Sequence, residues 1–123
     1  MPGEGEDSGI QKAATSASGY GSLALNVDTR ADAYGATAIG KSTQANGGAS
    51  FAGGNGSHAN GENSFAFGLE NNTNGQTSMA LGVGLKTLND GEVAVGRFNQ
   101  SSTGITRFTV GGGDDDTTRI NLF

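Results

Sequence analysis

Few side chains in this 123-residue sequence could do chemistry, and their spacing argues against most of it. His58 is the single histidine, and cysteine is absent. A catalytic nucleophile needs a base within reach and a third group to orient that base. No Ser-His-Asp arrangement of recognisable context surrounds His58, and no Walker or dinucleotide loop occurs. Gly48 and the Gly56-Ser57 pair lie in glycine-rich stretches with no helix to follow, so a phosphate cradle is not expected. The run Gly111-Gly112-Gly113-Asp114-Asp115-Asp116 comes nearest to a cation site, since three carboxylates offer hard oxygen ligands to calcium. An extended run points alternate side chains apart, so it reads as a solvated turn. The expectation is a non-enzymatic chain with no catalytic residue, no cofactor and no metal.

Charge narrows the partners. The formal net charge is −5, and Lys12, Arg30, Lys41, Lys86, Arg97, Arg107 and Arg119 are scattered. A nucleic-acid surface needs the opposite sign and a basic patch, so no nucleic-acid partner is expected. Glu4, Glu6 and Asp7 make residues 1–12 an acidic, flexible arm. No apolar run approaches the length of a membrane span, and residues 1–8 do not read as a signal peptide.

What must position these groups is a repeat of fourteen residues. Ala24, Ala38, Ala52, Ala66, Ala80 and Ala94 recur without insertion, and Gly40, Gly54, Gly68, Gly82 and Gly96 follow two residues later, with Asn26 in the first copy. A fixed period marks a solenoid. Fourteen residues suffice for two turns and two strands of about five residues each. Apolar-Ala-apolar alternation puts alanine on one face of a strand and larger residues on the other. The second strand is centred on Ala17, Ala31, Ala45, Ala59, Thr73 and Thr87. The Asn46-Gly47, Asn60-Gly61 and Asn74-Gly75 pairs mark one turn, where positive φ is inexpensive for both residue types.

The fold class is therefore all-β, a parallel β-roll of fourteen-residue coils spanning residues 13–111, with a capping turn and strand over 112–123. Six coils at about 4.8 Å spacing would extend roughly 29 Å. The roll interior, lined by the six alanines of the motif, is expected to be too thin for anything larger than Ala, Thr or Gly. Leu23, Leu25, Ile39, Phe51, Phe65 and Phe67 then point outward, continued by Met79, Leu81, Val93, Val95, Phe108 and Val110. Such a stripe exceeds what a soluble monomer exposes, and burying each large side chain is worth roughly 1.5–3 kcal/mol. An obligate homo-oligomer is expected, with these twelve residues as its interface. Gly53, two residues after Phe51, reads as steric compensation, with Phe51 rings from three chains filling the space it vacates.

Ser64-Phe65-Ala66-Phe67-Gly68 and Ser78-Met79-Ala80-Leu81-Gly82 resemble the Ser-apolar-Ala-apolar-Gly repeats of trimeric autotransporter adhesin heads, the YadA-like head family. The resemblance covers about residues 13–96, and Gly53, Asn26 and Glu92 depart from its pattern. It implies a left-handed parallel β-roll, single-stranded in each chain and packed as a parallel homotrimer. It also implies cell adhesion and virulence, at a cell surface or outer membrane, by binding a host extracellular matrix protein or surface glycan. Val95-Gly96-Arg97-Phe98-Asn99 and Arg107-Phe108-Thr109-Val110-Gly111 onward resemble segments of phage and prophage tail-fibre proteins, implying a virion tail fibre instead. With neither export signal nor anchor, the chain is expected to be a fragment of a longer adhesin or fibre, continuing past Phe123, with no direct membrane insertion.

The outer polar positions Lys41, Gln44, His58, Asn72 and Lys86 are the candidate receptor face. His58 shares its repeat position with Arg30, Gln44, Asn72 and Lys86, so a solvated side chain is expected there. A purely structural spacer of a fibre or stalk is the alternative function. Ice binding ranks third, on a hydroxyl column of Thr15, Thr29, Thr43 and Ser57 that ends at Asn71 and Leu85. Phase is restored after Ala94 by one inserted residue, which puts Thr109 in the alanine column. A final strand over 118–123, with Ile120 and Leu122 inward, would then close the open edge.

Overall fold

The structure is a computed structural model and describes residues 16–101 and 104–123. The acidic arm, Thr15 and the first residues assigned to the roll lie outside the described residues.

Each coil alternates a short strand with a long one. The short strands are β1 (Ser16–Ala17), β3 (Arg30–Ala31), β5 (Gln44–Ala45), β7 (His58–Ala59), β9 (Asn72–Thr73) and β11 (Lys86–Thr87). The long ones are β2 (Leu23–Val27), β4 (Thr37–Lys41), β6 (Phe51–Asn55), β8 (Phe65–Leu69), β10 (Met79–Val83), β12 (Val93–Arg97) and β13 (Phe108–Gly112). Short strands stack into a six-stranded sheet and long strands into a seven-stranded one, and every pairing within both sheets is parallel. Ala38 pairs with Ala52, Ala52 with Ala66 and Ala66 with Ala80, so the fourteen-residue period is the ladder register itself. The chain is an all-β parallel solenoid. Its second strand is two residues long rather than the expected five, because corners consume more of the coil than two tight turns would.

Those corners use the left-handed region of the backbone. In the glycine column, φ is 125° at Gly40, 92° at Gly54 and 131° at Gly68, with Asn26 at 82°. Any side-chain carbon on Gly54 would also collide with the carbonyl of Gly68 in the next coil. A second left-handed position lies two residues on, at Asp28, Ser42, Gly56, Glu70, Gly84 and Phe98. On the opposite side the positive φ does not fall on the Asn-Gly pairs. It falls two residues past each glycine, at Ala49, Asn63 and Thr77, with φ of 53–55°. Gly47 and Gly61 are glycine for a different reason: a β-carbon on either would strike the carbonyl of the glycine one coil further on.

The core runs between the two sheets. Ala38, Ala52, Ala66, Ala80 and Ala94 are fully buried, Ala24 is half-buried, and Ala31, Ala45, Ala59, Thr73 and Thr87 are buried opposite them. The interior is nonetheless wider than expected. Leu85, Glu92, Asn71 and Asn99 are also buried in it. Thr29, Thr43 and Ser57 are fully buried as well, which removes the hydroxyl array proposed for ice. The left-handed residue just before each of them reverses the strand alternation and turns that column inward.

The last coil carries the one-residue insertion: Ala94 pairs with Thr109 and Val95 with Val110, fifteen residues apart. Beyond it the chain turns back and pairs antiparallel with β13. The contact is a single bridge, Gly111 with Asn121, supported by hydrogen bonds from Leu122 N to Val110 O at 2.7 Å and from Val110 N to Phe123 O at 2.8 Å. It covers the edge, but less extensively than the expected strand, and the inward and outward residues are exchanged. Ile120 and Leu122 are exposed. The Arg119 guanidinium turns in, donating to Gly84 O at 2.7 Å and to Asn99 O at 3.1 Å and lying over the Phe98 ring. Three carbonyl and aromatic acceptors hold this cation better than the expected alternation would.

Candidate functional surfaces

The two sheets share one interior but present opposite exteriors. On the seven-stranded sheet the residues flanking each alanine point outward. Leu23, Phe67, Met79, Leu81 and Phe108 are 39–49% exposed, and Leu25, Ile39, Phe51, Phe65, Val93, Val95 and Val110 are half-buried. Side chains stack along the ladder: Phe51 on Phe65 with ring centroids 5.0 Å apart, and Phe65 beside Phe67 at 6.3 Å. The space above Gly53 is filled within the same chain. A β-carbon there would clash with the Phe67 and Phe51 rings, so rings from other chains are not needed to explain Gly53. The stripe is broader than expected, because Val27 and Leu69 also stand exposed at the ends of β2 and β8, with Val83 half-buried on β10. The signal was available: these positions lie two residues beyond the outward column and share its alternation.

The six-stranded sheet is polar outside. Gln44, His58 and Asn72 are half-buried and Arg30 and Lys86 exposed, one per short strand. Lys41 does not join them. It ends β4 on the seven-stranded sheet, paired with Val27 and Asn55. Beside the polar column runs an amide ladder: Asn46 Nδ2 donates to Asn60 Oδ1 at 2.8 Å, and Asn60 Nδ2 donates to Asn74 Oδ1 at 2.9 Å. Asn60 also reaches Asn72 Oδ1 at 2.9 Å.

No family model, curated protein or solved structure matches this chain.

The acidic turn distributes its three carboxylates. Asp114 pairs with Arg97 at 3.3 Å, Asp116 pairs with Arg119, and Asp115 closes the turn. Asp115 Oδ1 accepts from the Thr117 hydroxyl at 2.7 Å, the Thr118 hydroxyl at 2.9 Å and both backbone N–H groups at 2.8 Å. These donors, the Thr117 hydroxyl foremost, lower its pKa to about 2. Among the described residues no group of three His, Cys, Asp or Glu could hold a metal ion, and no pocket is enclosed. The interior carboxylate, Glu92, is likewise committed, accepting from Leu88 N and Asn89 N at 3.0 Å and from Asn89 Nδ2 at 3.1 Å.

Proposed function

We propose that the chain is a segment of a homotrimeric, non-enzymatic attachment rod. Its left-handed rolls would pack in parallel through the seven-stranded sheets and leave the six-stranded sheets facing outward to meet a host matrix protein or a surface glycan. The observation that carries this reading is the apolar face. Two columns of mostly large apolar side chains run the length of one sheet, and Val27, Leu69 and Val83 widen them in a third column that Lys41, Asn55 and Arg97 interrupt. They have no covering partner among the described residues, while the outward strand positions of the other sheet are polar. Contiguous apolar surface of this kind wants a partner, and a stripe at a fixed repeat along the rod axis fits most simply against the same stripe of an identical rod. The resemblance of the repeats to trimeric adhesin heads supplies the order of the assembly, the handedness and the attachment role. Membership of that family, or of a tail-fibre family, is part of the proposal.

The spacer reading is favoured by one observation, the amide ladder. Asn46, Asn60 and Asn74 spend hydrogen-bonding groups along the stack rather than offering them to a ligand. A glycan array together with a collagen and fibronectin panel on the purified protein separates the two readings. Binding that Gln44→Ala, His58→Ala or Asn72→Ala weakens supports the attachment head. Silence across both panels favours the spacer.

A further inference from the structure

Four Asn-Gly steps occur, Asn46-Gly47, Asn55-Gly56, Asn60-Gly61 and Asn74-Gly75. In such a step the glycine nitrogen can attack the asparagine side-chain carbon, unhindered by a β-carbon of its own. Dipeptide, chain and solvent are common to all four, so differences in reactivity come from how the fold holds the reacting groups.

Three of the four nucleophiles are restrained. Gly47 N donates to Ala59 O at 3.1 Å, Gly61 N to Thr73 O at 3.1 Å and Gly56 N to Lys41 O at 2.8 Å. Gly75 N has no acceptor among the described residues. Its counterpart would be Thr87 O, which takes the N–H of Asn74 at 2.9 Å. One coil further on the sequence changes as well. Where Ser64 and Ser78 stand beyond Gly47 and Gly61, this coil has Glu92, whose carboxylate takes the N–H groups of Leu88 and Asn89 in the turn beneath Gly75. The amide ladder also stops here, because Leu88 occupies the next position. Among the described residues nothing holds Asn74 Nδ2, the leaving group, while Asn74 Oδ1 still accepts from Asn60 Nδ2. That donor polarises the carbonyl under attack and stabilises the oxyanion formed there.

We infer that Asn74 is a selective deamidation site of the folded protein. Gly75 N–H gives its proton to solvent base, the nitrogen bonds to Asn74 Cγ, and the Cγ–Nδ2 bond breaks to release ammonia. Water then opens the resulting five-membered imide at either carbonyl, leaving aspartate or isoaspartate at position 74. The aspartate product keeps an acceptor for Asn60. The isoaspartate product lengthens the main chain by one methylene in the turn between β9 and β10, where the fourteen-residue register leaves no slack. This turn borders the polar sheet, away from the apolar face, so reaction at Asn74 does not depend on the proposed assembly.

The test is incubation of the full chain in warm, mildly alkaline buffer, followed by tryptic cleavage. Cuts after Lys41 and Lys86 release residues 42–86, a peptide containing all four steps. Tandem mass spectrometry reads each site, and the free peptide incubated in parallel supplies the intrinsic rates. After division by those rates, Asn74 deamidates roughly three- to tenfold faster than each of the others, the factor one backbone hydrogen bond is worth. Glu92→Ser, which places here the residue found beyond Gly47 and Gly61, and Leu88→Asn, which extends the ladder at an exposed position, each bring Asn74 towards the rate of Asn60. Equal or faster reaction at Asn46, Asn55 or Asn60, or an Asn74 rate unmoved in both variants, overturns the inference.

Discussion

The early and late coils of the roll share a backbone and a register but fill their interiors differently. In the early coils Ala31, Ala45 and Ala59 line the short strands, and the hydroxyls of Ser22, Thr29, Thr43 and Ser50 are buried without a hydrogen-bond partner among the described residues. In the later coils the short strands carry Thr73 and Thr87, and these reach the serines nine residues away in sequence: Thr73 Oγ1 donates to Ser64 Oγ at 3.1 Å and Thr87 Oγ1 to Ser78 Oγ at 2.9 Å. Ser22 and Ser50 stand nine residues before Ala31 and Ala59, which have nothing to offer them. The same late region admits Leu85, Asn71 and Glu92, each polar atom of Asn71 and the working oxygen of Glu92 being satisfied by backbone. Interior columns are therefore coupled in pairs. A coil tolerates a larger or more polar residue where a neighbouring column supplies the matching space or partner.

Substitutions can break that coupling or sharpen it. The largest effect is expected at Ala66, flanked by Ala52 and Ala80 in register and fully buried. The corner column that admits Leu85 has latitude; the strand column does not. Ala66→Leu should cost about 3 kcal/mol or more in stability, read as a lowered midpoint in chemical denaturation. A melting temperature unchanged from the parent would mean that Ala66 does not face a closed interior. Next comes Asn71→Ala, which removes the acceptor of Leu85 N and the donor to Phe67 O and Gly82 O and leaves buried backbone groups unpaired. The expected loss is about 1–3 kcal/mol, with faster amide exchange at Leu85 as its local signature.

Ala59→Thr runs in the opposite direction. It gives an early coil the residue that later coils use and supplies Ser50 with a partner. The expected gain is about 0.5–1.5 kcal/mol, measured as a higher denaturation midpoint; a loss would show that early coils are narrower than their register implies. The smallest effect belongs to Gln44→Ala on the outer polar sheet, expected within about 0.5 kcal/mol of the parent by the same measurement.

Much of this organisation was legible in the chain. The fourteen-residue period is the ladder register, the outward column from Leu23 to Val110 comes from two-residue alternation, and the insertion before Phe108 could be counted. Alternation fails at corners. A left-handed residue such as Ser42 or Glu70 reverses the parity of the residues after it, so Thr43 and Asn71 turn inward although period alone could not say so. Arg119 was misplaced for a related reason: its guanidinium is held by carbonyls of Gly84 and Asn99, contacts 35 and 20 residues away that no local pattern encodes. The Asn-Gly pairs did mark a turn, but close stacking of coils selects their glycines, and the positive φ lies two residues further on.

The apolar exterior of the seven-stranded sheet connects this interior to the proposed role, and the mass of the folded protein in solution tests that connection most directly. Light scattering coupled to size exclusion at micromolar concentration, with circular dichroism on the same sample, is the measurement. A trimer of the 12.2 kDa chain with β-type dichroism is the predicted result. A folded species at the monomer mass would contradict the account, because the stripe running from Leu23 to Val110 would then stand in water with nothing covering it.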